Sequence, residues 1–292
     1  MTILSNKIDF AVIVIVNHAN PNGDPLNGNR PRTTYEGFGE MSDVSIKRKI
    51  RNRLMDMGYP IFVQSDDNRM DDYRSLRERA NGVLKGVDMS DKKKFQEAAC
   101  QTWLDVRAFG QVFAFKGKKG KKSDGEEDSE GVSIPVRGPV SIHSAFSVVP
   151  ILDRVSSIQI TKSVSGETGE KRGSDTMGMK HRVDHGVYVF YGSMNTQLAT
   201  KTGFSEEDAQ AIKEALRILF RNDASSARPE GSMEVYKLYW WQHNSSTGQY
   251  SSAKVHRLLK VEPVSDEPKS IEDYYITLGE LSDLKCEVIE GE

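Results

Sequence analysis

Nine residues near the start of the chain, IDFAVIVIV at positions 8–16, constrain the fold most. They are apolar and β-branched on both alternating faces, apart from one aspartate. A strand with only one face in the core alternates apolar and polar residues. A continuous run of this kind belongs to a strand covered on both faces, in the middle of a sheet. The run is too short to cross a membrane. The pure apolar stretch spans seven residues, Phe10 to Val16, where a membrane helix needs about 20. Asp9 and the NHAN sequence that follows also make a poor secretion signal. The cysteines, Cys100 and Cys286, are far apart and outside any Cys-x-x-Cys pair, which fits a reduced, cytoplasmic protein without a disulfide framework.

The remaining pattern predicts further elements. Residues 17–41, with NHANPNGDPLNGNRPR, read as a long loop broken by Asn, Gly and Pro. A loop of that length is usually functional or disordered, and one that leaves a central strand reads as functional. A helix follows over 42–58, with Ser42 as N-cap, Ile46, Ile50, Leu54 and Met57 as its apolar stripe, and Gly58 as its stop. Residues 59–102 read as an insertion with short helices near 73–80 and from Ser90, as N-cap, to 102. WLDVRAFGQVFAF at 103–115 is strand-like, as is 132–151. Between them, 116–131 is low in complexity, with five lysines and five acids. Residues 155–182 read as a protruding hairpin. Residues 187–191 are a strand, 205–222 a helix capped by Ser205 and Asp208, and 233–241 the last core strand. Without its insertions, the order is β-α-β-β-α-β, the α+β ferredoxin-like arrangement also seen in RNA-recognition domains. One elaborated domain over residues 1–292 accounts for it.

Charge separates the chain into two parts. The net charge is −2, yet residues 261–292 hold ten acids and two bases, a balance of −8, which leaves +6 on residues 1–260. A uniformly basic nucleic-acid binder is excluded, while a basic body with an acidic C-terminal segment calls for an anionic partner. The basic charge peaks at Lys47, Arg48, Lys49, Arg51 and Arg53, five bases in seven positions. Lys47/Arg51 and Lys49/Arg53 are like-charge pairs at i, i+4, each costing an isolated helix roughly 0.2–0.5 kcal/mol. Either a phosphate backbone or acids from elsewhere in the protein must offset that repulsion.

Three other stretches invite a nucleic-acid reading. The first loop sets Asn20, Asn22, Asn29, Arg30 and Arg32 beside Gly23 and Gly28, donors that suit phosphate, without the Gly-Lys-Ser/Thr of a Walker loop. RAFGQVF at 107–113 weakly matches an RNA-recognition signature, with Ala108 for a glycine and Gln111 and Ala114 for aromatics; a buried strand explains it better. The 155–182 hairpin carries Ser163, Met177, Met179, Lys180 and His181, which suit an apolar wedge with basic flanks. Signals for catalysis are poor. The six histidines are scattered, His181 and His185 lack a partner motif, and Asp66, Asp67, Asp71 and Asp72 lack the Gly and Glu of a calcium loop. No metal or cofactor is expected.

The ordered series NHANPNGDPLNGNRPR, SDVSIKRKIRNRL, DVRAFGQVF, RGPVSIHSAFSVVP and SDTMGMKHRV resembles the backbone subunit of type I-C CRISPR Cascade, the Csd-two group of the Cas-seven family, from about Phe10 to Trp241. The resemblance implies a hand-like, non-catalytic subunit with an RNA-recognition palm, fingers at 59–102 and a thumb at 155–182. Copies would polymerise along CRISPR RNA beside other Cascade subunits and present guide bases to target DNA. It implies RNA contacts from the first loop and helix residues named above, from Arg137, and from the hairpin set Ser163, Met177, Lys180 and His181. The thumb tip around Met177 would wedge between bases. An endoribonuclease on the same fold, with Asp24 or His18 as candidates, is the alternative; a scaffold whose basic helix binds an acidic protein is another.

Overall fold

The structure is a computed structural model and describes residues 2–88, 91–115, 132–162 and 176–292. In chain order, its strands are β1 (Ile8–Ala19), β2 (Gly23–Asp24), β3 (Arg30–Pro31), β4 (Phe38–Met41), β5 (Gln111–Phe115), β6 (Val132–Val136), β7 (Val140–Ile142), β8 (Ala145–Pro150), β9 (Val155–Lys162), β10 (Thr176–Met194), β11 (Met233–Gln242), β12 (Leu259–Pro263), β13 (Tyr274–Leu278) and β14 (Cys286–Glu290). The helices are α1 (Asp43–Asp56), α2 (Leu76–Val83), α3 (Lys92–Thr102), α4 (Leu104–Phe109), α5 (Thr196–Thr202), α6 (Glu206–Arg217) and α7 (Ser252–His256).

The first nine residues of β1 are all buried. The main sheet runs β14-β11-β1-β10-β8-β4, with β7 and β9 also paired to β10, and every pairing is antiparallel. Phe10, Val12, Val14 and Val16 point to a core built with α1 and α6. Ala11, Ile13 and Ile15 point to a second core with Tyr239, Trp241, Val255 and Tyr274. The double-faced apolar run is therefore covered by helices on one side and by C-terminal segments on the other. Where β1 faces β10, Phe10 sits opposite Gly192. A Cβ there would fall 2.2 Å from the Phe10 ring, so glycine makes room for Phe10 to stack on Trp240 of the other neighbour, with centroids 5.7 Å apart.

The caps read from the sequence hold the two core helices. Ser42 accepts the Ser45 N–H at 3.3 Å. Ser205 and Asp208 satisfy each other's backbone at 3.1 and 3.0 Å, a complete capping box. The N-cap of α3 is Asp91, not Ser90: its carboxylate accepts the Lys94 N–H at 3.1 Å.

Three expectations need correction. Residues 103–115 are not one strand. Trp103 ends α3, α4 follows, and Gly110 at φ 80 turns the chain into β5. The RNA-recognition likeness fails there, because Arg107 lies on a helix and chelates Asp208 at 2.8 and 2.7 Å. The strand-like composition misled because six residues with Val and Phe carry no clear period, and tertiary contacts decide. Next, the core of the insertion extends past 102. Phe62, Ala80, Phe95, Trp103, Phe113 and Ile134 form a cluster of their own, so the β5–β6 hairpin packs with α2 and α3. Its rings meet at 4.7 Å (Phe62–Trp103) and 5.1 Å (Phe62–Phe113). Finally, β11 is not the last core strand. β14 pairs with it, and the acidic segment folds onto its own body: Glu287 pairs with Lys213, Glu290 with Lys237 at 3.2 Å, and Glu292 with Arg217 and Arg221.

Candidate nucleic-acid interface

The first loop is more ordered than its composition suggests, since β2, β3 and β4 lie within it. Two of its asparagines act inward. Asn20 is buried, donating its amide to the Asn29 carbonyl at 2.7 Å and its N–H to the Ala227 carbonyl at 2.9 Å. Asn22 accepts the Ser42 N–H at 2.9 Å and hydroxyl at 3.0 Å, which fixes the start of α1. The rest face outward. Asn29 is exposed in left-handed backbone at φ 60, and Arg30 and Arg32 are half-buried. Arg32 stands 3.8 Å from Asp24, whose carboxylate also accepts the Leu26 N–H at 3.1 Å. Asp24 thus caps its own turn. Leu26 and Tyr35 are fully exposed.

On α1 every one of the five bases has a carboxylate. Lys47 meets Asp43 at 2.9 Å, Arg48 meets Asp67 at 3.1 Å, and Arg53 meets Asp56 at 2.8 Å. Arg51 donates to Asp105 at 2.9 Å and lies 5.2 Å over the Phe109 ring. Lys49 is 4 % exposed, pairs with Asp223 and lies 5.4 Å over Phe220. Burial pulls the Lys49 ammonium down to about 8, against the opposing attraction of Asp223. The like-charge repulsion along α1 is met by the protein's own acids. Arg53 is buried as well, so only Lys47 and Arg48 retain substantial access to solvent, Arg48 with 60 % of its side chain exposed.

The β9–β10 hairpin is laddered from Val155↔Val183 out to Lys162↔Thr176. His181 is buried, with Nδ1 2.8 Å from the Ser157 hydroxyl across the ladder. Desolvation, then the Arg30 charge, holds its pKa below the usual histidine value. Arg30 lies on β3, which packs against β10, so the first loop sits beside the hairpin. Lys180 is half-buried and Met179 is exposed beside it. Met177 stands opposite Thr161 in the ladder. Ser163 and the 116–131 stretch lie outside the described residues. Arg137 is exposed just after β6.

The model of the family described as CRISPR-associated protein Cas7 matches residues 6–279. The chain belongs to the Cas7 family. A curated relative, CRISPR-associated protein Cas7 of Haloferax volcanii, is 26 % identical over 281 residues, which cover 94 % of this chain and 82 % of the relative. Two solved structures are also similar at 16 % identity, each over 80 % of this chain. One, described as a pre-nicking CRISPR RNA-guided surveillance complex, has 78 % of its own chain covered and a TM-score of 0.44. The other, a CRISPR RNA-guided surveillance complex, has 68 % covered and a TM-score of 0.38.

In this Cas7-family chain the expected contact residues fall into two groups. Asn29, Arg30, Arg32, Lys47, Arg48, Arg137 and Lys180 retain solvent access, while Asn20, Asn22, Lys49, Arg53 and His181 are held by neighbours, as Arg51 largely is. Sequence reasoning missed Asn52 and Arg228, which line one cleft with Arg48 and Lys49. Asn52 was within reach, lying four residues after Arg48 on the same helix, but Arg228 comes from a turn that no local pattern ties to α1. Among the described residues, no three His, Cys, Asp or Glu side chains are grouped to hold a metal ion, and no helix is long and apolar enough to cross a membrane.

Proposed function

We propose that this chain is the repeating backbone subunit of a type I-C Cascade surveillance complex, which grips CRISPR RNA and presents its guide bases to target DNA. The observation that carries the reading is the family match over residues 6–279. Guide pairing supplies sequence specificity in such systems, and the protein needs only to hold the RNA backbone. The strand order β11-β1-β10-β8, with α1 after β1 and α6 after β10, supports a ferredoxin-like, RNA-recognition palm. The separate core from Phe62 to Ile134 supports fingers that include residues 59–102, and the β9–β10 ladder supports a thumb.

On this reading RNA runs over Asn29, Arg30, Arg32, Lys47, Arg48, Arg137 and Lys180. The thumb tip wedges between bases. Asn20, Asn22, Lys49, Arg51, Arg53 and His181 hold the gripping elements in place from within. The subunit performs no bond cleavage itself, works in the cytoplasm, and stacks on further copies and other Cascade subunits through a heterologous, non-closing contact.

Freshly purified protein tests this. It should carry RNA, seen as a raised ratio of absorbance at 260 over 280 nm, and elute as large species. Sequencing that RNA should return CRISPR repeat and spacer. A nucleic-acid-free monomer at low salt contradicts the reading, and cleavage of labelled guide or target would replace it with the endonuclease.

A further inference from the structure

The acidic C-terminal segment divides its charges. Glu287, Glu290 and Glu292 are met by bases of the body. Asp266 and Glu267, between β12 and β13, line a cleft of about 730 Å³ at the root of the hairpin arm, together with Asp153, Arg154, Asp184 and Lys269. Arg154 is spent on its own chain. It donates to the Pro268 and Asp266 carbonyls at 2.6 and 3.0 Å, which ties that segment to the start of β9. Asp184 is met by Arg182 at 3.5 Å and His18 at 3.6 Å. Asp153, Asp266 and Glu267 have no ion pair among the described residues. Four carboxylates against two cations give the lining a charge of −2. That sign repels a phosphate backbone.

His185 sets this cleft apart from an ordinary solvated acidic surface. It lines the cleft, is 6 % exposed, and its Nε2 is buried without a hydrogen-bond partner. On the other edge of the ring, Nδ1 stands 2.7 Å from the Asn17 amide oxygen. That oxygen only accepts, so Nδ1 carries the ring proton and Nε2 is a bare acceptor. Burial, then the Arg154 charge, holds the His185 pKa below the usual value, against the pull of Asp273 and Glu272. Folded proteins satisfy nearly all buried polar groups, so the open acceptor calls for a donor. A guanidinium meets both demands: it is positive, has only donors, and forks onto carboxylates.

Among the described residues, four exposed arginines carry no ion pair: Arg74, Arg77, Arg137 and Arg257. Arg137 belongs to the RNA surface on the reading above. Arg257 follows α7, which packs on the same side of the sheet as the cleft, since Val255 and Val187 share a core and Val187 lies two residues after His185. Arg74 and Arg77 remain, just before and on α2, in the part of the chain built on the separate Phe62–Ile134 core.

We propose that this cleft receives the α2 arginines, Arg74 and Arg77, of a second copy of this chain, one guanidinium donating to His185 Nε2 between the carboxylates of the rim. The proposal rests on the stacking of copies in the reading above and names the two surfaces that meet. They are different surfaces, so the contact repeats along a strand without closing.

The test uses the full chain on CRISPR RNA long enough for several copies, with the assembled mass read by mass photometry. One variant carries Arg74→Glu with Arg77→Glu, the other Asp266→Arg with Glu267→Arg. All four positions are exposed, and neither variant should melt differently from the wild type. Alone, each variant sets like charges against each other, and assembly should weaken by more than about 10-fold. Mixed one to one, they set opposite charges at every contact, and assembly should return. His185→Phe, which deletes the acceptor, should weaken assembly by about 10-fold; if it folds poorly, the exposed reversals decide. Variants that assemble like the wild type, or a mixture that stays apart, would overturn the proposal. Argininamide binding at the cleft of variants that still assemble would give the cleft to another basic partner and overturn it too. CRISPR RNA held firmly, with stacking blind to the reversals, removes this contact and spares the RNA-holding reading. Copies that hold no RNA, yet stack at low salt and obey the charge swap, do the reverse.

Discussion

The basic face of α1 and the surface made by the first loop with the hairpin arm carry similar charges and do different work. On α1 the bases crowd together in sequence, and the fold has brought a carboxylate to each. On the loop and arm, Arg30 and Lys180 are spaced apart in sequence and no carboxylate among the described residues is paired with either, while Arg32 stands 3.8 Å from Asp24. A crowded run of bases is costly to leave unpaired, so it attracts internal acids and becomes framework. Scattered cations at half-exposed positions stay available to an external anion. Density of charge along a chain is thus a poor guide to which charges meet a ligand.

The largest effect expected from this contrast is on the framework side. Asp105 is buried and accepts the Phe62 N–H at 2.7 Å, the Val63 N–H at 3.1 Å and Arg51 at 2.9 Å. Asp105→Ala strands all three and should cost about 3–5 kcal/mol in urea unfolding. A loss under ~1 kcal/mol would show that Arg51 is not held by the framework.

Next comes the Lys49–Asp223 pair. Lys49 sheds its proton near pH 8 in the fold and near the ordinary lysine value of about 10.4 when unfolded. Between those values the unfolded chain binds more protons, so raising the pH favours the fold. The wild type should gain on Lys49→Met by up to about 3 kcal/mol from pH 8 to 10.5, the linkage expected for a shift of that size. At neutral pH the methionine variant should be less stable, because it leaves the Asp223 carboxylate without one of its two cations, though by less than the roughly 3–5 kcal/mol of a fully stranded charge since Arg228 still meets it at 3.1 Å. A pH-independent difference would place the Lys49 ammonium in water.

On the loop and arm the ranking reverses. Arg30→Glu and Lys180→Glu should change stability by less than about 0.5 kcal/mol. Each should weaken RNA binding and lower the salt slope by roughly 1, the share of one phosphate no longer neutralised. The smallest effect belongs to Leu26→Ser: the side chain is 98 % exposed, and melting should not move beyond the same margin.

Local patterns carried the central elements. The two-faced run gave β1, the caps Ser42 and Ser205 placed α1 and α6, and alternation marked the hairpin arms. What local pattern could not carry depends on partners distant in sequence. β14 reads as charged, and only the open edge of β11 makes CEVIE a strand. Lys49 and Asp223 are 174 residues apart, and Arg107 and Asp208 are 101 apart. No spacing rule connects such pairs, so the sequence proposes the candidate contact residues as one set and does not divide them into framework and surface.

The most direct test of that division is the salt dependence of CRISPR RNA affinity, measured by fluorescence anisotropy on three full-length proteins: wild type, Lys49→Met, and Arg30→Glu with Lys180→Glu. The wild type and Lys49→Met should share one steep slope, and the loop-and-arm double variant should lose about 2 from it. A slope that falls with Lys49→Met and stays unchanged in the double variant would contradict the account.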